Sequence, residues 1–127
     1  MSEIVSEWIG KAEGDWNVAR REIAVTENPN WDAVCFHAHQ CVEKLLKGLL
    51  IAHKVVPPKT HNLLTLHLLL EPLEPEWKVD IEGLRILNYA ARDFRYPGET
   101  ASLLFAQQCL NVAEPIRELL YKLLSDQ

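Results

Sequence analysis

The sequence lacks a long apolar run. Even the leucine-rich stretch 63–70 is far shorter than the about 18 residues that a membrane-spanning helix needs. The first residues, MSEIVSEW, are acidic and contain no apolar segment of the kind found in secretory signal peptides. An excess of basic residues is missing too. The net charge of −5 argues against broad, non-specific nucleic-acid binding, but it leaves room for a local basic pocket.

Cysteine is scarce. The three cysteines, Cys35, Cys41 and Cys109, all lie within apolar helical patterns. An odd number at such positions indicates reduced thiols in the core of a cytosolic protein. None has the electropositive, exposed setting that activates a nucleophilic thiolate. We therefore expect a cytoplasmic protein whose cysteines take no part in catalysis.

Motifs for phosphate loops and metal sites are also absent. The chain has no glycine-rich loop of the Walker type. His37 and Cys41 have the i, i+4 spacing of metal ligands, but Cys41 falls on the apolar side of its helix. The paired Cys and His doublets of a zinc site are missing. We expect neither a metal nor a cofactor.

The periodicity of the sequence predicts an all-α fold, because every long segment has helical period and none alternates like a strand. Thr60 and Thr100 are the predicted N-caps of the third and fifth helices, and Pro115 is expected to kink or split the fifth. The predicted helices span about 2–25, 31–53, 61–70, 79–94 and 101–124. Short connections predict an up-and-down antiparallel four-helix bundle with an additional short helix, in one domain over residues 1–127.

The second helix has a wide apolar arc, which predicts burial against at least two neighbours. Its polar strip comprises His37, Gln40, Lys44 and Lys47, with Glu43 and Phe36 on the flank. This strip has two interpretations. It is either solvated surface with one Glu43–Lys47 pair, or a face for self-association or a ligand. A large aromatic such as Phe36 beside the strip favours the second interpretation.

The fourth helix carries a basic face. Arg85, Asn88, Arg92 and Arg95 are spaced by three, four and three residues, with Tyr89 and Tyr96 beside them. Arginines aligned with aromatics are typical of a site for a phosphate group and a stackable ring, although the face could also be solvated and paired with acidic residues. The core-facing residues predicted for this helix are Ile81, Leu84, Leu87, Ala91 and Phe94. After Thr60, His61 could face a ligand beside Lys59 or simply close the turn.

Four pieces of the chain together resemble the HEPN domain, named for higher eukaryotes and prokaryotes nucleotide-binding. They are Trp8 with Asp15-Trp16, the run 35–47 (CFHAHQCVEKLLK), the run 59–63 (KTHNL) and the run 95–98 (RYPG). The resemblance covers nearly the whole chain and points to a small, stand-alone prokaryotic member. It implies a four-helix bundle with an extra short helix, usually a homodimer. Many such members pair with a minimal nucleotidyltransferase, often as a toxin–antitoxin couple.

Other HEPN members are metal-independent ribonucleases, which use an Arg, an adjacent polar residue and a His four to six residues after the Arg. Arg92-Asp93 matches the first half of that motif, but Tyr96, Pro97 and Gly98 occupy the positions of the His. The general acid/base is therefore missing, which argues against an enzyme.

The sequence thus predicts a non-catalytic HEPN protein that dimerises and binds a nucleotide, an RNA end or a minimal nucleotidyltransferase partner, through residues on its second and fourth helices. The predicted binding residues are Arg92, Asp93, Arg95, Tyr96, Lys44 and Lys47, and the predicted dimer contacts are Phe36, His37 and Gln40. Two alternatives stay open. One is a ribonuclease toxin with a degenerate motif, in which His37 or His61 replaces the missing proton carrier. The other is a structural homodimer without a ligand.

Overall fold

The computed structural model describes residues 1–94 and 96–127, which form five α-helices and no strand. The helices are α1 (Glu3–Ile23), α2 (Trp31–Ala52), α3 (Leu63–Leu70), α4 (Ile81–Asp93) and α5 (Leu103–Ser125). This confirms the predicted all-α bundle of four long helices with an additional short one. No helix in these ranges is long and apolar enough to cross a membrane.

Helix α2 is the centre of the bundle, because it packs against each of the other four helices. Its most extensive contacts are with α1 and α5, whereas α3 and α4 cover its remaining side. Its leucines at 45, 46, 49 and 50 are fully buried. The wide apolar arc of α2 therefore has the several neighbours that the sequence predicted.

Each helix begins at a polar residue whose side chain accepts a hydrogen bond from a backbone N–H of the first turn. These N-caps are Ser2, Asn30, Asn62, Asp80 and Ser102. The prediction that Thr60 and Thr100 are N-caps was wrong, because Asn62 and Ser102 take these positions. The Thr60 hydroxyl instead accepts the N–H of Asn62 in the turn before α3 (3.1 Å), so α3 begins two residues later than predicted.

Two further expectations are corrected in α4 and α5. Helix α5 continues through Pro115 as one helix, so the proline does not split it. Ile81 was predicted to face the core but is 41% exposed, while Gly83 and Ala90 are buried. The buried face of α4 differs from the predicted one because α4 approaches α5 closely at Gly83. An added Cβ at Gly83 would lie 2.9 Å from a methyl of Val112.

Candidate functional site

A buried carboxylate on α2 holds the loop that leads into α3. Glu43 is only 3% exposed, and its Oε2 accepts a hydrogen bond from the Lys47 ammonium at 3.0 Å. Its Oε1 lies 2.8 Å from Nδ1 of His61. Because an ionised carboxylate can only accept, Nδ1 of His61 carries the donated proton. The His61 ring is thereby oriented with Nε2 on the side away from Glu43.

His39, one turn before Glu43, holds the backbone of the same loop. Its Nε2 donates to the carbonyl of His61 at 2.9 Å. Burial lowers the pKa of His39, so its ring is neutral and Nδ1 is an acceptor. Nδ1 lies 3.2 Å from Oε1 of Gln40. Because a neutral acceptor nitrogen has no proton to donate, this contact is a hydrogen bond only with the Gln40 amide rotated so that its NH₂ faces the ring. His61 is thus fixed by α2 through both its ring and its backbone.

Two asparagine side chains join this loop to α4. Nδ2 of Asn88 donates to Oδ1 of Asn62 at 2.9 Å, and Oδ1 of Asn88 accepts the N–H of Leu63 at 3.0 Å. Asn88 therefore satisfies one of the backbone donors that the start of α3 leaves without a helical partner. This contact sets the position of α4 beside His61.

These groups surround a cavity of about 270 Å³, which we call the histidine–arginine pocket. It is lined by His39, His61, Asn62, Asn88, Ala91 and Arg92. The side chains of His61 and Arg92 are 70% and 78% exposed, so both can reach a ligand. Nε of Arg92 donates to Asp93 at 3.1 Å. The terminal nitrogens of the guanidinium are not part of this pair, and they carry the remaining N–H donors.

A second cavity, of about 340 Å³, adjoins the first where Ala91 lines both. We call it the aromatic pocket, because Phe36 from α2 and Phe94 from the end of α4 contribute to its walls. Its polar lining includes Asn30, Asp32 and His37. The two pockets follow the space between α2 and α4.

The lysines of the predicted strip do not line either pocket. Nζ of Lys44 lies 2.6 Å from Asp15 of α1, and the other oxygen of that carboxylate lies 2.7 Å from Nδ1 of His37. Lys47 is buried, paired with Glu43 and positioned over the ring of Trp8. Helix α1 and the loop of His61 therefore cover much of the strip. The structure does not bring Lys44 or Lys47 to Arg92.

The structure does not gather the other predicted site residues at one place. Asp93 is partly buried and paired with Arg92. Tyr96 is 67% exposed in the turn after α4 and lines neither pocket. Arg95 lies outside the described residues. Phe36 and His37 meet edge to face at 5.3 Å, and Gln40 is partly buried. Arg85 is exposed and within 3.5 Å of Glu82, as the solvated interpretation of that face predicted.

Sequence reasoning missed the roles of His39, Glu43 and Asn62 in this site. The available signal was that His39, Glu43 and Lys47 recur at i, i+4 and i+8, which places three polar side chains on one face of an otherwise apolar helix. From the sequence, Glu43 and Lys47 are only a possible surface pair. Their burial shows that the pair belongs to the interior, where a carboxylate requires partners.

The cysteines are free and buried, as predicted. Burial raises the pKa of Cys41 to about 12, and the neighbouring Cys35 thiol together with burial raises the pKa of Cys109. Thiols with such pKa values carry almost no thiolate at neutral pH. In the described part of the chain, no group of three or more His, Cys, Asp or Glu side chains could hold a metal ion.

A separate polar cluster joins α1 to α5 on another face. The Arg117 guanidinium donates to both carboxylate oxygens of Glu13, at 3.1 and 3.2 Å, and stacks on Trp16 and Tyr121. The Tyr121 hydroxyl also donates to Glu13 and lowers the pKa of that carboxyl. Since Glu13 already occupies the guanidinium, this cluster is a structural link between the helices.

Comparison with known proteins places the chain within a family. The sequence model of the HEPN domain matches residues 5–124, which is nearly the entire chain. The chain belongs to the HEPN domain family. The crystal structure of TT1696 from Thermus thermophilus is similar, with a TM-score of 0.77 and 23% identity over 96% of this chain and 99% of that one.

A second similar structure is ST0689, an archaeal HEPN homologue, with a TM-score of 0.68 and 22% identity over 98% of this chain and 99% of that one. At these identities the two neighbours establish the HEPN fold alone. No curated protein sequence matches the chain.

Proposed function

We propose that this HEPN protein binds a nucleotide, with the phosphate groups in the histidine–arginine pocket. The observation that carries the proposal is the lining of this pocket. An exposed guanidinium (Arg92), an oriented imidazole (His61) and two side-chain amides (Asn62, Asn88) converge on it, and no carboxylate is among its lining residues. Arginine suits phosphate because its planar N–H groups match two phosphate oxygens at once.

The sequence-predicted residues have different parts in this proposal. Arg92 contacts the phosphate, and Arg95 and Tyr96 are proposed to extend the site from the segment after α4. Lys47 acts indirectly, because its ammonium stabilises the Glu43 carboxylate that orients His61. Lys44 pairs with Asp15, and the same carboxylate holds His37, which lines the aromatic pocket and not the phosphate site.

Calorimetry with ATP tests the proposal. Arg92→Ala is expected to weaken binding about tenfold or more, since a hydrogen bond to a charged group is worth ~1.5–3 kcal/mol. Arg85→Ala is the matched control, because Arg85 is an exposed arginine of the same helix that lines neither pocket. Equal affinity in both variants, or no ATP binding by the wild type, would contradict the proposal.

We also propose that the protein is a cytoplasmic homodimer paired with a minimal nucleotidyltransferase, as a two-component or toxin–antitoxin system. Family membership supports the pairing, and the free thiols support a reducing compartment. Phe36 is the proposed dimer contact. Phe36→Asp should shift the protein to monomer in sedimentation, and an unchanged profile would remove Phe36 from the interface. A small nucleotidyltransferase in the neighbouring gene would favour the pairing, and its absence would count against it.

A ribonuclease is the second candidate, and one contact favours it. The buried Glu43 holds Nδ1 of His61, so that Nε2 of an exposed imidazole shares a pocket with Arg92. A carboxylate–histidine pair of this kind can carry protons in catalysis. The missing His after Arg92 makes us expect intact RNA after incubation in EDTA. Cleavage that is lost in both His61→Ala and Arg92→Ala would favour the ribonuclease instead.

A further inference from the structure

The aromatic pocket has no part in the phosphate site proposed above, although it adjoins that site. Its two aromatic walls come from different helices and are held by their neighbours. The Phe94 ring meets the rings of Tyr89 and Phe105 edge to face, with centroids 5.8 and 5.5 Å away. Phe36 packs edge to face against His37, whose Nδ1 is in turn held by Asp15. Ordered aromatic faces beside a cavity offer a surface on which a planar base can stack.

The polar lining of the two pockets differs in charge. The aromatic pocket contains the carboxylate of Asp32, one oxygen of which accepts the N–H of Ala101 at 2.7 Å. A carboxylate repels phosphate but accepts hydrogen bonds from base amino groups and ribose hydroxyls. Arg92, the cationic side chain, lies in the other pocket. A ligand with an anionic end and a neutral, hydrogen-bonding ring therefore favours one orientation, with its anionic end at Arg92 and its ring in the aromatic pocket.

Small side chains separate the two pockets. Ala91 lines both, and Ala90 and Ala33 also line the aromatic pocket. Phe94 lines the aromatic pocket and Arg92 the histidine–arginine pocket, so the two side chains stand on either side of Ala91. Each cavity is close to the lower end of the ~300–1,000 Å³ usual for small-ligand sites, so a nucleoside with its phosphate chain would extend over both.

We infer that the two pockets form one groove for a nucleoside phosphate, with the base stacked against Phe36 and Phe94 and the phosphates at Arg92. This inference rests on the proposed function and adds to it a base-recognition subsite. It predicts that the protein distinguishes a nucleotide from the same phosphate chain without a nucleoside.

Calorimetry with two probes, ATP and inorganic triphosphate, tests the subsite. Phe36→Leu and Phe94→Leu keep an apolar side chain but remove the aromatic face. Since stacking of a base on an aromatic side chain is worth ~1–3 kcal/mol, each variant should weaken ATP binding roughly 5- to 150-fold. Binding of inorganic triphosphate should stay within about twofold of the wild type. Tyr121→Leu is the matched control, because Tyr121 is a partly buried aromatic on the α1–α5 face that lines neither pocket. Tyr96→Leu tests the alternative that the base stacks on the exposed ring in the turn after α4.

The outcomes separate the subsite from the phosphate site. If the wild type binds both probes equally and neither Phe variant changes this ratio, the subsite is overturned while the phosphate site stands. If Tyr96→Leu removes the preference for ATP and the Phe variants do not, the base lies elsewhere and the inference is also wrong. If the wild type binds neither probe, the proposed function fails and the subsite fails with it.

Thermal melts identify a variant that does not fold, and sedimentation identifies one that changes the oligomeric state. Phe36 is also the proposed dimer contact, so Phe94→Leu decides the result if Phe36→Leu alters sedimentation. Phe94 shares the aromatic pocket with Phe36 and His37, but it belongs to the end of α4 and is not among the residues assigned to the dimer.

Discussion

At the scale of single residues, the site depends on two buried polar side chains of α2 that the sequence did not single out. Glu43 orients the His61 ring, and His39 holds the His61 carbonyl. Cysteine burial could be predicted because it depends only on the apolar pattern around each cysteine. The partners of Glu43 and His39 could not, since His61 lies 18 and 22 residues away and only tertiary packing brings it to α2.

The lowered pKa of His39 predicts a pH dependence of stability. The unfolded chain takes up the His39 proton near pH 6.5, whereas the folded protein takes it up only at lower pH because burial disfavours the charge. This contribution to the free energy of unfolding is therefore complete above pH 6.5 and is lost as the pH falls towards the folded-state pKa. Its slope is at most ~1.4 kcal/mol per pH unit.

Urea denaturation between about pH 5 and pH 7.5, a range that brackets the ordinary pKa of histidine, checks this expectation. His39→Gln keeps a hydrogen-bonding side chain but cannot titrate, so its free energy of unfolding should depend less steeply on pH than that of the wild type. Parallel pH profiles for the two proteins would show that His39 is not the group responsible.

At the scale of helices, periodicity located all five elements but not all of their faces. The ends of α1 and α2 lie within two residues of the predictions, since both helices have clear polar breaks. The face of α4 was misjudged because glycine carries no hydrophobic signal, yet α4 approaches α5 closely at Gly83. The polar strip of α2 was correctly located, but spacing alone does not show whether α1 or a second molecule covers it.

Two glycine-to-alanine substitutions test the helix packing. Gly83→Ala places a Cβ 2.9 Å from a methyl of Val112, and overpacking of this kind typically costs ~1–3 kcal/mol of unfolding free energy. Gly14→Ala is the matched control, because it lies within a helix and its Cβ would meet nothing within 4 Å. Gly14→Ala should stabilise by roughly 0.5–1 kcal/mol. Stabilisation of similar size in both variants would mean that α4 and α5 are farther apart than described.

The buried face of α2 is tested by Leu45→Ala. Leu45 is fully buried in the central helix, and removing such a side chain costs about 2–5 kcal/mol through lost burial and the cavity left behind. Urea denaturation measures this loss. A cost below about 1 kcal/mol would indicate that Leu45 is not in the core.

At the scale of the whole molecule, the fold could be predicted and the site only in part. Four long amphipathic helices with short connections have few alternatives to a bundle, and the resemblance to HEPN proteins was confirmed. Arg92, on the basic face of α4, lines the histidine–arginine pocket, and its role in binding stays a prediction. The rest of the lining comes from α2 and from the loop that ends at the N-cap of α3, and no spacing within one helix could have shown that these segments meet.

The central claim is that a nucleotide binds between α2 and α4 at the histidine–arginine pocket. It is tested most directly by NMR of ¹⁵N-labelled protein titrated with ATP, followed at the side-chain amides of Asn62 and Asn88. These amides are bonded to each other and line the pocket, so their signals should shift progressively and saturate with the ATP concentration. Signals that stay in place while the shifts concentrate around Glu13 and Arg117, or that do not move at saturating ATP, would contradict the claim.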